Sequence, residues 1–287
     1  MRFRPIAIIA AVVGLVSGTV SVSASAEQFN PPKHYYLSLG DSLAYGYQQA
    51  KFNVTQNPAD FNTGYTDDFA AKLRAIRGDV QVVNYGCPGE TTSSFINGPC
   101  PTPVAFLHTG YSGPQLDTAV AFLRSHPGQV SPITIDIGSN DAGAVEQLCG
   151  VPPFTPTSLA CVSANLPALL NQIGANLSTI IATLRAASPS SEIIVLNLYN
   201  PLAVVYQGSD QFANLIDGAI QAAATQQGAR VADVFSLFNP AGAAEVPTIC
   251  AFTGICTALK DTHASDAGYV AMALAVWQAS GYSRLGH

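Results

Sequence analysis

Tyr35-Tyr36-Leu37-Ser38-Leu39-Gly40-Asp41-Ser42-Leu43 reads as a short apolar strand, Tyr35 to Leu39, that runs into a tight turn carrying a serine. Gly40 lets the backbone bend there. Outward from this stretch, Gln81 to Tyr85, Ile133 to Ile137, Ile193 to Leu198 and Val231 to Val234 repeat the apolar strand pattern. Helical patterns lie between them. Phe69, Leu73 and Ile76 share one face of the first, with Thr66 as its expected cap and Gly78 as its stop. Leu166, Leu169, Leu170, Ile173, Leu177, Ile180, Ile181 and Leu184 recur at helical spacing in the longest, and further helices fit Leu116 to Arg124, Gln211 to Gln227 and Ala267 to Ala279. Strands that are apolar on both faces and alternate with helices form a parallel sheet covered on both sides. The expectation is an α/β chain, a three-layer α/β/α sandwich around a central, mostly parallel five-stranded sheet. In such sheets chemistry gathers at the carboxyl ends of the strands.

Two stretches, Cys87 to Pro114 and Gly143 to Asn165, are rich in Pro, Gly, Ser and Thr and read as long loops. The six cysteines fall into local couples, Cys87 with Cys100, Cys149 with Cys161 and Cys250 with Cys256, and we expect those three disulfides. Each closes a short loop and contributes on the order of 2 to 3 kcal/mol by restricting the unfolded chain. The oxidising compartment this requires agrees with the amino terminus. Arg2 and Arg4, an apolar run from Ile6 to Val16 and the small residues Ala24-Ser25-Ala26 make a secretory signal over residues 1–26. Residues 27–287 are then one exported domain of 261 residues with ten basic and eighteen acidic residues, a net charge of −8. That surface repels nucleic acid and anionic lipid headgroups, and no later segment is apolar for long enough to insert stably in a membrane. A monomer is expected. No residue pattern calls for a cofactor or a metal: there is no phosphate-binding glycine loop, dinucleotide fingerprint or H-E-x-x-H pair. The G-x-S-x-G elbow is also missing.

Four segments converge on one edge of the expected sheet. The first strand delivers Ser42, and the second ends in Asn84-Tyr85-Gly86. The third ends in Gly138-Ser139-Asn140-Asp141, and Asp261-Thr262-His263 precedes the last helix. Singly these are weak signals, since a serine after a strand caps helices and an Asn after Gly sits in turns. In this order the chain resembles the SGNH, or GDSL, hydrolase superfamily, with its flavodoxin-like fold. Ser42, Gly86, Asn140 and His263 match its four blocks, and the likeness extends from Tyr35 to Trp277. The export signal and six cysteines are similar to those of secreted, disulfide-bonded lipases and esterases of actinobacteria.

The resemblance implies that Ser42 attacks a carboxylic ester and His263 accepts its proton, an imidazole being suited to that exchange near neutral pH. The amides of Ser42 and Gly86 and the side chain of Asn140 would hold the oxyanion, each such donor being worth roughly 3 to 4 kcal/mol in the transition state. One departure stands out. The family usually carries Asp three residues before the histidine, where this chain has Lys260, and Asp261 is only two before. Either the Asp261 carboxylate orients the imidazole, or a backbone carbonyl near Lys260 or Asp261 does.

Of the other histidines, His34, His126 and His287 read as structural or solvated, and His108 as a loop residue that is solvated or, in the alternative, lines the pocket. Leu43, Ala44, Tyr45, Tyr47, Phe95, Ile96, Phe106, Leu107 and Val145 are candidate walls for an acyl chain. Small-molecule or lipid esters are therefore the expected substrates, with a carbohydrate acetyl esterase and a non-catalytic binding domain as the alternatives.

Overall fold

The computed structural model describes residues 29–285; the expected leader over residues 1–26 and His287 lie outside the described residues. Strands β1 (Tyr35–Gly40), β2 (Gln81–Asn84), β3 (Val130–Asp136), β4 (Ile193–Leu196) and β5 (Arg230–Ala232) form a sheet of order β2-β1-β3-β4-β5 in which every neighbouring pair is parallel. In chain order the helices are α1 (Ser42–Tyr45), α2 (Gln49–Phe52), α3 (Tyr65–Ile76), α4 (Thr92–Asn97), α5 (Gln115–Ser125), α6 (Ser139–Leu148), α7 (Pro156–Ala187), α8 (Asp210–Gln226), α9 (Phe235–Phe238), α10 (Glu245–Phe252) and α11 (Asp266–Ser280). A separate antiparallel pair, β6 (Thr253–Gly254) and β7 (Asp261–Ala264), precedes α11.

Both faces of the sheet are covered, so even its polar residues Ser38, Thr134 and Asp136 are buried. Leu37, Leu39, Ile133, Ile135, Ile193 and Val195 pack under α5, α7 and α8. Tyr36, Ile194 and Leu196 point the other way, under α3 and α11. The three-layer α/β/α expectation holds. The chain adds β2 on one side of β1 and then crosses to place β3 on the other. The loops that leave the carboxyl ends of β1 and β3 therefore diverge and open a crevice between them.

Two local expectations are corrected. Thr66 is not the cap of α3, which is Gly64: the Asp67 carboxylate accepts the Gly64 N–H, and the buried Thr66 hydroxyl donates instead to the Ala44 carbonyl. The stop is Arg77, one residue before Gly78. The stretch Gly143 to Asn165 is mostly helical, belonging to α6 and α7. Its Thr155-Pro156-Thr157-Ser158 run starts a helix rather than a loop. Thr155 and Ser158 cap each other's amides, and Pro156 sits where no donor is needed. Among the described residues no helix is long and apolar enough to cross a membrane.

Candidate active site

β1 ends at Gly40, whose φ of +134° is closed to most side chains and whose added Cβ would lie 2.0 Å from the Asp136 carbonyl oxygen. This close approach fuses the turn that carries Ser42 to the end of β3. Gln115, fully buried, clamps the same residue from the other side: its Oε1 accepts the Gly40 N–H at 2.7 Å and its Nε2 donates to the Gly40 carbonyl at 3.0 Å. Asp41 then caps α1 by accepting the Leu43 N–H at 3.0 Å, which places Ser42 at the first helical position. The amide of a first helical residue has no partner within its helix, and that of Ser42 has none elsewhere in the described residues.

His263 reaches Ser42 from β7. Its Nε2 lies 3.0 Å from Ser42 Oγ and its Nδ1 lies 2.6 Å from Asp261 Oδ1. Side chains two apart on a strand share a face, so Asp261 and His263 project together, and the ring Nδ1 meets the Asp261 carboxylate rather than a backbone carbonyl. Lys260, at the position the family usually gives to Asp, has a φ of +53° and turns the chain into the strand. Burial pushes the Asp261 carboxyl up, but hydrogen bonds from the His263 ring and from the Gln49 and His263 amides outweigh it and hold the group below the usual carboxylate range. An ionised Asp261 keeps the proton on Nδ1 and leaves the Nε2 lone pair facing the hydroxyl. Tyr47 packs on the imidazole at 4.6 Å between ring centres, and the Cys250–Cys256 disulfide closes the segment that leads into this ladder.

Asn140 opens α6 from the end of β3. Its Nδ2 donates to the Glu90 carbonyl at 2.9 Å and, weakly, to Asp41 Oδ2 at 3.4 Å, so the amide is held at the crevice beside Ser42. Gly86 does not come to the crevice. Its N–H is donated to Asn84 Oδ1 at 2.8 Å, and an added Cβ would lie 2.5 Å from the Tyr45 amide. It sits behind the nucleophile turn. Gly89, three residues on, lines the cavity with Ser42, Asn140 and His263. Its φ of +87° turns the loop, and its amide has no partner among the described residues.

Buried acids support this floor. Asp41 Oδ2 accepts the Ser139 hydroxyl at 2.6 Å. Asp136, wholly buried, is pushed well above the usual carboxylate range by burial and then by the Asp41 charge; it accepts the Tyr65 hydroxyl at 2.7 Å and the Ala44 amide at 3.2 Å. Glu90, also buried, accepts from the Ser94 hydroxyl and from Gln115 at 3.2 Å, and burial raises its pKa to about 7. None of Asp41, Glu90, Gln115 and Asp136 was singled out as a site residue in the sequence. Asp41 and Asp136 carry one signal, their place at strand ends beside the named blocks, whereas Glu90 lies in the loop after β2 and Gln115 opens α5.

Two cavities flank the Ser42–His263 pair. One, of about 380 Å³, has walls from Tyr45, Tyr47, Phe52, Pro103 and Phe106. The other, of about 290 Å³, is walled by Leu43, Val162, Leu198, Leu202, Phe212 and Ile216. Of the expected wall residues, Leu43, Tyr45, Tyr47 and Phe106 line them. Ala44, Phe95, Ile96, Leu107 and Val145 are taken up by the core instead. His108 is not solvated: its Nε2 meets the Tyr45 carbonyl at 2.8 Å, burial lowers its pKa, and its ring backs the first cavity by packing on Tyr45. Cys87 is bonded to Cys100 and Cys149 to Cys161. Cys87, Glu90 and Cys100 form the one close set of possible metal ligands among the described residues, and the bond between the two sulfurs removes them as thiolates.

The model of the GDSL-like lipase/acylhydrolase family matches residues 38–271. No curated protein matches the chain. Similar solved structures include an extracellular lipase from Streptomyces rimosus (18% identity, TM-score 0.58, covering 86% of this chain and 99% of that one). A phospholipase A1 from Streptomyces albidoflavus has 17% identity and a TM-score of 0.58, with the same coverage of 86% and 99%. The acetylxylan esterase Axe2 from Geobacillus stearothermophilus has 17% identity and a TM-score of 0.51, covering 88% and 96%. At these identities the likeness is one of fold.

Proposed function

The chain belongs to the GDSL-like lipase/acylhydrolase family, and from that premise we propose that residues 27–287 act as an exported serine esterase that hydrolyses acyl esters, lipid esters ahead of acetylated sugars. The observation that carries the reading is the relay Ser42 Oγ to His263 Nε2 at 3.0 Å and His263 Nδ1 to Asp261 at 2.6 Å. As Ser42 Oγ bonds to the ester carbonyl carbon, its proton passes to Nε2. The carbonyl oxygen gains the negative charge and turns toward the amides of Ser42 and Gly89 and the Asn140 side chain; Gly89 takes the place expected of Gly86. The proton on Nε2 then goes to the departing alkoxide, leaving an acyl-enzyme. Water repeats the cycle with His263 as base and releases the acid.

The apolar cavity walls support an acyl chain, and the three disulfides support export. A series of p-nitrophenyl esters from acetate to palmitate tests the substrate class. Activity that extends past butyrate is the expected result. Activity confined to acetate, together with acetate release from acetylated xylan, would move the assignment to carbohydrate esters. A fluorophosphonate that labels the wild type but not Ser42→Ala establishes the nucleophile, and labelling of neither would leave a binding domain.

A further inference from the structure

Helix α6 lends one face to the second cavity. Ser139, Asn140, Ala142, Gly143 and Glu146 all line it, at the three- and four-residue spacing that keeps side chains on one side of a helix. Asn140 is the proposed oxyanion donor at one end of this face, and Glu146 lies about 9 Å further along the axis. Gly143 leaves room between them: a Cβ added there would meet no atom within 4 Å. A glycine inside a helix is destabilising relative to alanine, and here it keeps space free between the oxyanion site and the last turn.

Glu146 is poorly placed for stability alone. It sits in the last turn of α6, where the helix dipole disfavours an anion. It is half-buried, and burial raises its pKa with no neighbouring cation to offset the effect. Its carboxylate has no hydrogen-bond or ion-pair partner among the described residues. Of the residues that line the two cavities, Glu146 is the one Asp, Glu, Lys or Arg; Lys260, close in sequence to the lining residue Thr262, is exposed and lines neither. The Cys149–Cys161 disulfide ties the end of α6 to α7 and so fixes where this carboxylate stands.

The rest of the wall suits a cation. Phe154, Tyr199 and Phe212 line the same cavity, and aromatic faces hold alkylated ammonium groups. The groups behind the wall carry the same sign as Glu146. Ser139 donates to Asp41 at 2.6 Å, Asn200 to Asp210 at 2.7 Å and the Leu198 amide to Asp217 at 2.9 Å. A cleft lined by one sign of charge concentrates the opposite sign. We infer that the second cavity receives the alcohol side of the ester and selects an alcohol that bears a quaternary ammonium group a few bonds from the ester oxygen, with Glu146 as the specificity-determining residue. The acyl chain then takes the first cavity, and His263, which lines both, stands where the departing alkoxide collects its proton. This rests on the reading of Ser42 as an esterase nucleophile.

The test compares kcat/KM for butyrylcholine with that for its neutral carbon analogue, in which a tert-butyl group replaces the trimethylammonium. The wild type is expected to favour the cation by roughly tenfold or more. Glu146→Gln, which keeps the shape and removes the charge, should lower that ratio by about tenfold. A wild type that treats the two esters alike, or a preference that survives Glu146→Gln, overturns the inference. So does an equal loss on glyceryl monobutyrate, because the carboxylate would then read a hydroxyl rather than a charge. If the wild type cleaves none of these esters, the esterase reading fails instead, and calorimetric titration of choline into the Ser42→Ala protein decides the cavity. Binding that Glu146→Gln weakens by about tenfold sustains the inference, and no binding, or binding that Glu146→Gln leaves unchanged, overturns it.

Discussion

Replacing Asp261 by Asn removes one negative charge from the relay with little change of shape. Oδ1 accepts two N–H groups of His263, the ring at 2.6 Å and the backbone at 3.1 Å, and Oδ2 accepts the Gln49 amide at 2.8 Å. An Asn can keep its oxygen toward His263 but must then point its NH2 at the Gln49 N–H. The clash of donors is expected to cost about 1 to 2 kcal/mol of stability, too little to unfold the chain. The kinetic loss is larger. When Ser42 gives up its proton the imidazole becomes a cation, and a carboxylate 2.6 Å away stabilises it by roughly 6 kcal/mol at an effective dielectric near 20. The ring is 25% exposed, and that access of water reduces the figure to about 4 kcal/mol, or on the order of a thousandfold in rate. The assay is kcat/KM for p-nitrophenyl butyrate at pH 8, with thermal unfolding alongside. A fall of less than about tenfold with an unchanged melting temperature would refute the assignment of Asp261 and the strand geometry behind it.

Asn140→Ala removes a proposed oxyanion donor, and kcat is expected to fall by about 10² to 10³ while KM changes little; a change confined to KM would assign Asn140 to substrate binding alone. Gly89→Ala meets ordinary space beside Pro101 but a strained φ of +87°, so the amide must move: kcat should drop by about tenfold or more with a stability loss of about 1 to 2 kcal/mol, and full activity would show that this amide is not used. Glu90 ionises near pH 7 when folded, against about 4.3 for a free carboxyl. Its contribution to stability is therefore complete below pH 4.3 and is lost as pH rises through 7. Glu90→Gln is expected to gain on the order of 3 to 4 kcal/mol relative to the wild type between pH 4 and pH 8 in urea unfolding, and a difference that does not vary with pH would contradict this. Cys250→Ser with Cys256→Ser opens a loop of sequence separation 6, which should lower stability by roughly 2 kcal/mol and reduce kcat more than the same change at Cys149 and Cys161; equal losses in kcat would show that the β6–β7 ladder keeps its shape without the bond.

Much of the sheet was legible because a strand covered on both faces is largely apolar, as Ile193 to Leu196 is throughout, whereas Ile133 to Ile137 interleaves the buried polar residues Thr134 and Asp136. The ends of helices were harder, since Thr66 and the Pro156 region are decided by which hydroxyl or carboxylate captures a backbone amide. The same kind of competition is why the proposed oxyanion glycine is Gly89 rather than Gly86. Two glycines follow β2, and nothing in their spacing says that the Asn84 side chain ties up the first of them. Ser42, Asn140 and His263 could be found from their order and their place after strands. The buried acids behind them could not, because an Asp at a strand end reads as a surface residue until the partner that buries it is known.

The carboxylate and imidazole of the proposed relay are borne by a two-stranded ladder that is not part of the central sheet. Their separation of two residues is thus a record of local backbone shape, extended through Asp261–Ala264. A chain that made this connection by a helical turn would need its carboxylate three or four positions away to meet the same ring. The distance between these two side chains can drift by a residue without any adjustment of the nucleophile, provided the backbone there exchanges one periodicity for the other.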